Sequence, residues 1–398
     1  MTRVLFLGDS AHTGFGTVTW DLGTRLLALG EDVRFISQNQ TSEPIPHPLG
    51  ERTWDADRGV DPIGVMLNGF RDGWRPEAAI ILGDFAAVRL FADGRGQAFA
   101  QAAAAVPIYH YVPIEGTDLP PAWAKLWQAI HPVAMTEFGA DEIAKVTGTR
   151  PPVVFHGVDV DTFYPVAANR PGEYEGKAIT SRMGAKLAIG TNPDRVLCLR
   201  TDRHMMRKQY NLLLRAFVHV FDATPDVDLL IHCRLRDFGG NLSDTLSKLR
   251  PEHAKRVLLT QAHDTFRGVP REALNVLYNA ADIYVSNSAE GFGLTPAEAI
   301  ACGVPVVGID YAAMPEVVGP AGVMVPVDRL VDNEYDHFWA SVDPVAYAEA
   351  VIRLARKPAL RREIGNRGPA HVRSHYTWDR AAAGFRDIIA AAAQEQAA

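Results

Sequence analysis

The chain has 398 residues, 47% hydrophobic and 22% charged, with a net charge of −7. That length exceeds one ordinary domain and predicts two, while the mixed acids and bases exclude a strongly basic nucleic-acid binder. Cys198, Cys233 and Cys302 are far apart and match no zinc spacing, and no uninterrupted apolar run of about 18 residues is present to span a membrane.

Gly8 and Asp9 come too early for a signal peptide, so the expected location is the cytoplasm, with the thiols reduced. Residues 3–7 read as a buried strand, and 8–16 as a polar, glycine-bearing loop. Apolar residues at helical spacing predict a helix over 18–29, ended by Gly30, and the next strand lies within 32–37. Such a βαβ unit binds ligands at its first loop, which here carries Gly14 and Gly16. Residues 40–75 are rich in Pro, Gly, Asp and Trp and give no firm assignment. Strand 78–82, helices 85–92 and 98–105, and strand 106–112 follow, the last carrying His110. Beyond it lies a loop with Glu115, then a helix with Trp123 and Trp127.

Residues 166–192 read as a surface excursion plus a helix, after which the alternation resumes. Strands are expected at 195–199, 227–232, 256–259 and 283–285, with a helix at 274–280 before the last. From Pro344 onward the pattern is helical, and its arginines fit a solvated basic face. Strand and helix alternate through both halves, which predicts two doubly wound domains.

One stretch carries the chemistry. Strand 283–285 leads into Glu290-Gly291-Phe292-Gly293-Leu294, and Thr295-Pro296-Ala297-Glu298 then reads as a helix start. Thr295 takes the place of a hydroxyl cap, with proline in the first turn and Glu298 three residues on. A helix start just past a strand presents unpaired N–H groups and a partial positive charge, which suits a phosphate. Gly291 and Gly293 allow close approach to the backbone, and two carboxylates accept bonds from hydroxyls. Singly, Glu298 is as well explained by a reciprocal capping box and Glu290 by a solvated loop acid. Together they point to a ligand bearing both phosphate and sugar.

Glu290-x7-Glu298, within Ser288-Ala-Glu-Gly-Phe-Gly-Leu-Thr-Pro-Ala-Glu298, resembles the signature of the retaining GT-B glycosyltransferases, especially glycosyltransferase family 4. The resemblance implies an α/β fold of two Rossmann-like domains facing across a cleft. It places an acceptor-side domain at 1–165, a nucleotide-sugar domain at 166–375, and a crossing-back helix at 376–398. In that family the first glutamate, here Glu290, contacts the donor sugar, and the second, here Glu298, holds the ribose. The amides between them, here Gly291 to Thr295, bind sugar and diphosphate. A basic pair five residues apart clamps the diphosphate, and Arg203 and Lys208 match it. The family often has glycine before the arginine and after the lysine, where this chain has Asp202 and Gln209.

Gly14 and Gly16 are expected to face the donor from the first domain. His110 is expected near the donor sugar, although it sits about three residues earlier than the family's usual register. A buried, hydrogen-bonded histidine is the competing reading. The resemblance implies retention by a front-face route and no essential metal, since Asp159-Val-Asp161 and Asp55-Ala-Asp57 are two-acid pairs common by chance. The donor is expected to be a nucleoside-diphosphate sugar, and base, sugar, acceptor and oligomeric state stay open. Two other readings compete. Val4-Leu-Phe-Leu-Gly8-Asp9-Ser10 resembles the first block of GDSL-type esterases, with Ser10 as nucleophile and Asp9-x-x-His12 as the sole Asp-x-x-His. A non-catalytic nucleotide-sugar-binding protein is the third.

Overall fold

The computed structural model describes residues 1–11, 13–38, 49–56, 59–260, 269–332 and 337–397. The chain divides into two compact units, Met1–Gly157 with Tyr376–Ala398, and Val158–Asn333 with Phe338–His375. Among the described residues, no helix is long and apolar enough to cross a membrane.

The first unit is built on six parallel strands: β1 (Arg3–Asp9), β2 (Asp32–Gln38), β3 (Thr53–Asp55), β4 (Ala78–Leu82), β5 (Ile108–Val112) and β6 (His131–Ala134). Their order in the sheet is β3-β2-β1-β4-β5-β6. Val4, Leu5 and Phe6 of β1 and Ala78 to Ile80 of β4 are almost fully buried, which is why these strands read as unbroken apolar runs. Helix α1 (Gly14–Ala28) follows β1.

The second unit repeats the design with β7 (Val196–Thr201), β8 (Val227–His232), β9 (Val257–Leu259), β10 (Ile283–Val285), β11 (Val306–Ile309) and β12 (Gly322–Val325). Its order, β9-β8-β7-β10-β11-β12, has the same topology as the first sheet. Cys198 of β7 stands level with Leu229 on one side and Ile283 on the other. Helix α2 (Leu294–Ala301) connects β10 to β11. In each sheet the strand order reverses beside the first strand, between β1 and β4 and between β7 and β10. Open sheets of this kind bind ligands just past the carboxyl ends of the strands at that reversal.

Helix α3 (Trp378–Ala397) belongs to the first unit. Phe385 sets its ring edge-on against Tyr111 of β5 at 4.9 Å, and Asp379 pairs with Arg25 of α1 at 3.1 Å. Residues 158–165 group with the second unit, because Tyr164 N–H donates to Asn275 and Phe163 packs on Tyr278 at 5.8 Å. Their packing falls eight residues ahead of the boundary expected after residue 165.

Small elements escaped the sequence pattern. Strand Thr53–Asp55 and helix Pro62–Asn68 lie within the unassigned 40–75, and a hairpin pairs Gly172–Tyr174 with Lys177–Ile179. Further hairpins join Arg236–Asp237 to Gly240–Asn241 and Arg329–Asp332 to Phe338–Ser341. Each strand in these hairpins has two to four residues, too short for periodicity to register.

Candidate active site

Two loops leave the carboxyl ends of β7 and β10 in the second unit, at the point where the strand order reverses. The first runs from Asp202 to Gln209, the second from Ser286 to Gly293. They meet through a charged cluster. Lys208 Nζ donates to both oxygens of Glu290, at 2.5 and 2.7 Å, and lies 2.9 Å from Asp202 Oδ1. Arg207 Nη1 donates to Glu290 Oε2 at 3.0 Å and to the Ala289 carbonyl at 3.1 Å. Ser288 Oγ donates to the other carboxylate oxygen, Oε1, at 2.8 Å.

Beneath them Arg200, fully buried on β7, donates to the Val285 carbonyl and Ser288 Oγ and lies 2.9 Å from Asp202 Oδ2. Three cations thus face two carboxylates. Burial pushes the Glu290 carboxyl up, but Lys208 and Arg207 outweigh it and hold the pKa at about 2. Glu290 is a fixed anion at neutral pH.

The chain bends to place Lys208 there. Met206–Lys208 form a single 3-10 turn, and Gln209 after it takes φ +47, a left-handed conformation usual for glycine. Its amide Nε2 donates to the Ala340 carbonyl at 2.8 Å, and its own carbonyl accepts from Asn287 Nδ2. The side chain therefore secures the strained position where the family often has glycine. Asp202, at the other departure, is used in ion pairs with Arg200 and Lys208.

The turn into α2 differs from the expected capping box. The helix begins at Leu294, capped by Gly293 at φ +93, and the Ala297 N–H donates to the Gly293 carbonyl at 3.1 Å. Thr295 therefore lies inside the first turn rather than at the cap, because glycine supplies the left-handed entry two residues earlier. Gly291, Phe292 and Gly293 are buried, while Leu294 and Thr295 are half-buried. Glu298 accepts from the Tyr278 hydroxyl at 2.6 Å.

Arg203, the other member of the expected basic pair, faces Asp237. Its Nε and Nη2 donate side-on to the two carboxylate oxygens at 3.0 and 2.9 Å, and Phe238 lies 5.7 Å from its guanidinium. Asp237 sits on the short hairpin beyond β8. The structure thus brings Lys208 and Glu290 into direct contact and commits Arg203 to a carboxylate the sequence did not flag. Arg207, Arg200, Ser288, Tyr278 and Asp237 are site or supporting residues the sequence reading missed. Arg207 carried a signal, a second cation beside Lys208.

The first-unit candidates have other settings. His110 is fully buried: Trp127 Nε1 donates to its Nδ1 at 3.2 Å, and its Nε2 faces the Gly83 carbonyl at 3.0 Å. Nδ1 is therefore the acceptor and Nε2 carries the proton. Burial pushes this ring down to about 4. That is the buried, hydrogen-bonded histidine of the competing reading. Glu115 lies half-buried on the loop after β5.

Gly14 and Gly16 lie within the first turn of α1 rather than in a loop, capped by Thr13 Oγ1, which accepts from Gly16 N–H at 3.0 Å. Gly14 is exposed, and a Cβ on Gly16 would stand 1.8 Å from the Ala11 carbonyl oxygen. The missing side chain at Gly16 is used by the chain itself. Gly16→Ala is expected to cost roughly 2 kcal/mol or more, read as a lowered thermal midpoint; an unchanged midpoint would refute the packing role.

Ser10 is buried, and its Oγ has no hydrogen-bond partner among the described residues. His12, the base its esterase reading requires, lies outside them. Asp57 does too, whereas Asp159 accepts from the Thr162 hydroxyl at 2.7 Å in a local turn. Among the described residues no group of three or more His, Cys, Asp or Glu side chains is placed to hold a metal.

Known proteins share this architecture. A glycosyltransferase from Rickettsia africae superposes with a TM-score of 0.70 at 15% identity, covering 98% of this chain and 97% of that one. The paired sheets and the crossing of two loops at the strand reversal are those of a GT-B fold. The family described as "Glycosyl transferases group 1" matches residues 184–371, a little under half of the chain. A D-inositol 3-phosphate glycosyltransferase of Streptomyces bingchenggensis is 30% identical over 275 residues, 65% of this chain and 52% of the relative. A GDP-mannose-dependent monoacylated alpha-(1-6)-phosphatidylinositol monomannoside mannosyltransferase of Corynebacterium glutamicum is 28% identical over 231 residues, 56% of this chain and 51% of the relative. The chain spans about half the length of the curated relatives it matches.

Proposed function

We propose that the protein transfers a sugar from a nucleoside-diphosphate sugar to an acceptor, with retention and without an essential metal. The observation that carries this reading is the meeting of Lys208 and Glu290, 82 residues apart in sequence, at the strand reversal of the second sheet and beside the start of α2. A cation for the diphosphate and a carboxylate for sugar hydroxyls then lie within one bond of each other. Glu298, on the first turns of α2, is suited to accept from the ribose.

Lys208 donates to both oxygens of Glu290 and forms an ion pair with Asp202. On donor binding the diphosphate displaces a carboxylate oxygen from Lys208, which frees an edge of Glu290 for the sugar. As the bond from the anomeric carbon to the phosphate oxygen breaks, charge grows on the leaving diphosphate, and Lys208 stabilises it without moving far. A carboxylate already bound by Lys208, Arg207 and Ser288 is a weak nucleophile. That supports a front-face path in which the acceptor oxygen bonds the anomeric carbon and its proton passes to the departing phosphate oxygen.

A thermal-shift screen with GDP-mannose, UDP-glucose and their free diphosphates tests the reading, since a ligand bound to the folded state raises its stability. Glu298→Ala is expected to weaken diphosphate binding by about 10-fold or more. Glu290→Ala is expected to reduce transfer while leaving diphosphate binding near the parent value. Absence of any shift across the screen, together with ester hydrolysis lost on Ser10→Ala, would replace this reading with the esterase. Tight donor binding without transfer or hydrolysis would make the protein a carrier.

A further inference from the structure

Glu290 is held by three different donors, and they do different work. Lys208 Nζ sits across both oxygens at 2.5 and 2.7 Å, which fixes where the carboxylate is but not how its plane is turned. Arg207 on Oε2 and Ser288 on Oε1 grip the two edges separately and remove that freedom. Arg207 is further tied to the backbone, because the same Nη1 donates to the carbonyl of Ala289, the residue just before Glu290. The guanidinium is thus referenced to the loop that carries the glutamate.

We propose that Arg207, outside the expected basic pair, is a positioning residue that keeps the Glu290 carboxylate turned toward the donor sugar. This rests on the donor-binding reading above. One nitrogen, Nη1, makes both bonds, so the task calls for a cation that reaches the carboxylate and the carbonyl together.

The role predicts a specific signature. Glu290 addresses the sugar and Lys208 the diphosphate, so losing Arg207 acts on sugar recognition and spares the free diphosphate. Calorimetry on the full chain compares GDP-mannose with GDP and UDP-glucose with UDP, for the parent, Arg207→Met and Arg207→Lys. For whichever pair the parent binds, Arg207→Met is expected to raise the Kd of the sugar nucleotide 10-fold or more and that of the diphosphate less than 3-fold. Arg207→Lys is expected to recover most of the loss. Equal weakening of both ligands, or no change in either, overturns the proposal while leaving the donor reading intact. A parent chain that binds neither pair overturns both.

Discussion

Lys208→Met is expected to lower sugar transfer by roughly 10²- to 10³-fold and also to destabilise the second unit. The catalytic loss follows from removing a pre-placed cation where leaving-group charge develops. The stability loss has a separate origin: Lys208 is buried between Glu290 and Asp202. Removing it strands two carboxylates, one still facing Arg207 and the other Arg200, and breaking a buried pair from one side costs about 3–5 kcal/mol. The two effects separate in a double variant. Lys208→Met with Glu290→Gln removes the stranded charge and recovers much of the stability, but not transfer. Denaturant midpoints and turnover measured on the same four proteins give the cycle. If Lys208→Met transferred sugar at the parent rate, the site assignment would be wrong.

Acid sets the second large effect. His110 and His156 are both fully buried, and burial pushes them down to about 4 and about 3. Unfolded, each titrates near 6.5. Between those values the unfolded chain binds protons that the folded chain refuses, so stability falls as pH falls. The contribution is fully present above about 6.5 and is lost downward until the folded rings themselves titrate. From pH 7 to pH 5 the pair is expected to cost on the order of 4 kcal/mol. Glu290 adds to the loss below its unfolded value near 4.5, since its folded value is about 2. Urea midpoints of the first unit at pH 7, 6 and 5 measure the slope. His110→Gln keeps an acceptor for Trp127 and a donor for Gly83 without a proton to gain, and is expected to halve it. A midpoint independent of pH over this range would contradict the burial argument.

Much of this was legible in the residues. The unbroken apolar runs at 78–82 and 283–285 are strands with those same bounds, because a strand covered on both faces has no polar side to interrupt it. The spacing of Arg203 and Lys208 placed both cations on the correct loop. It could not say where Arg203 points, because Asp237 is 34 residues on, on a hairpin too short to read. Thr295-x-x-Glu298 fits the capping-box pattern, yet the cap falls two residues earlier because Gly293 turns left-handed. Glu298 instead finds a tyrosine from another helix. Such long-range partners are properties of packing and leave no local trace. Gly14 and Gly16 mark a helix start rather than a loop for a related reason, the cap being Thr13.

Gln209 has one more consequence. A glycine there would relieve about 1–2 kcal/mol of left-handed strain but release the amide's hold on the Ala340 carbonyl. With glutamine the bend is locked during folding. A ligand arriving at Lys208 meets a segment whose disorder has already been removed, so association forfeits less entropy than it would against a floppy arm.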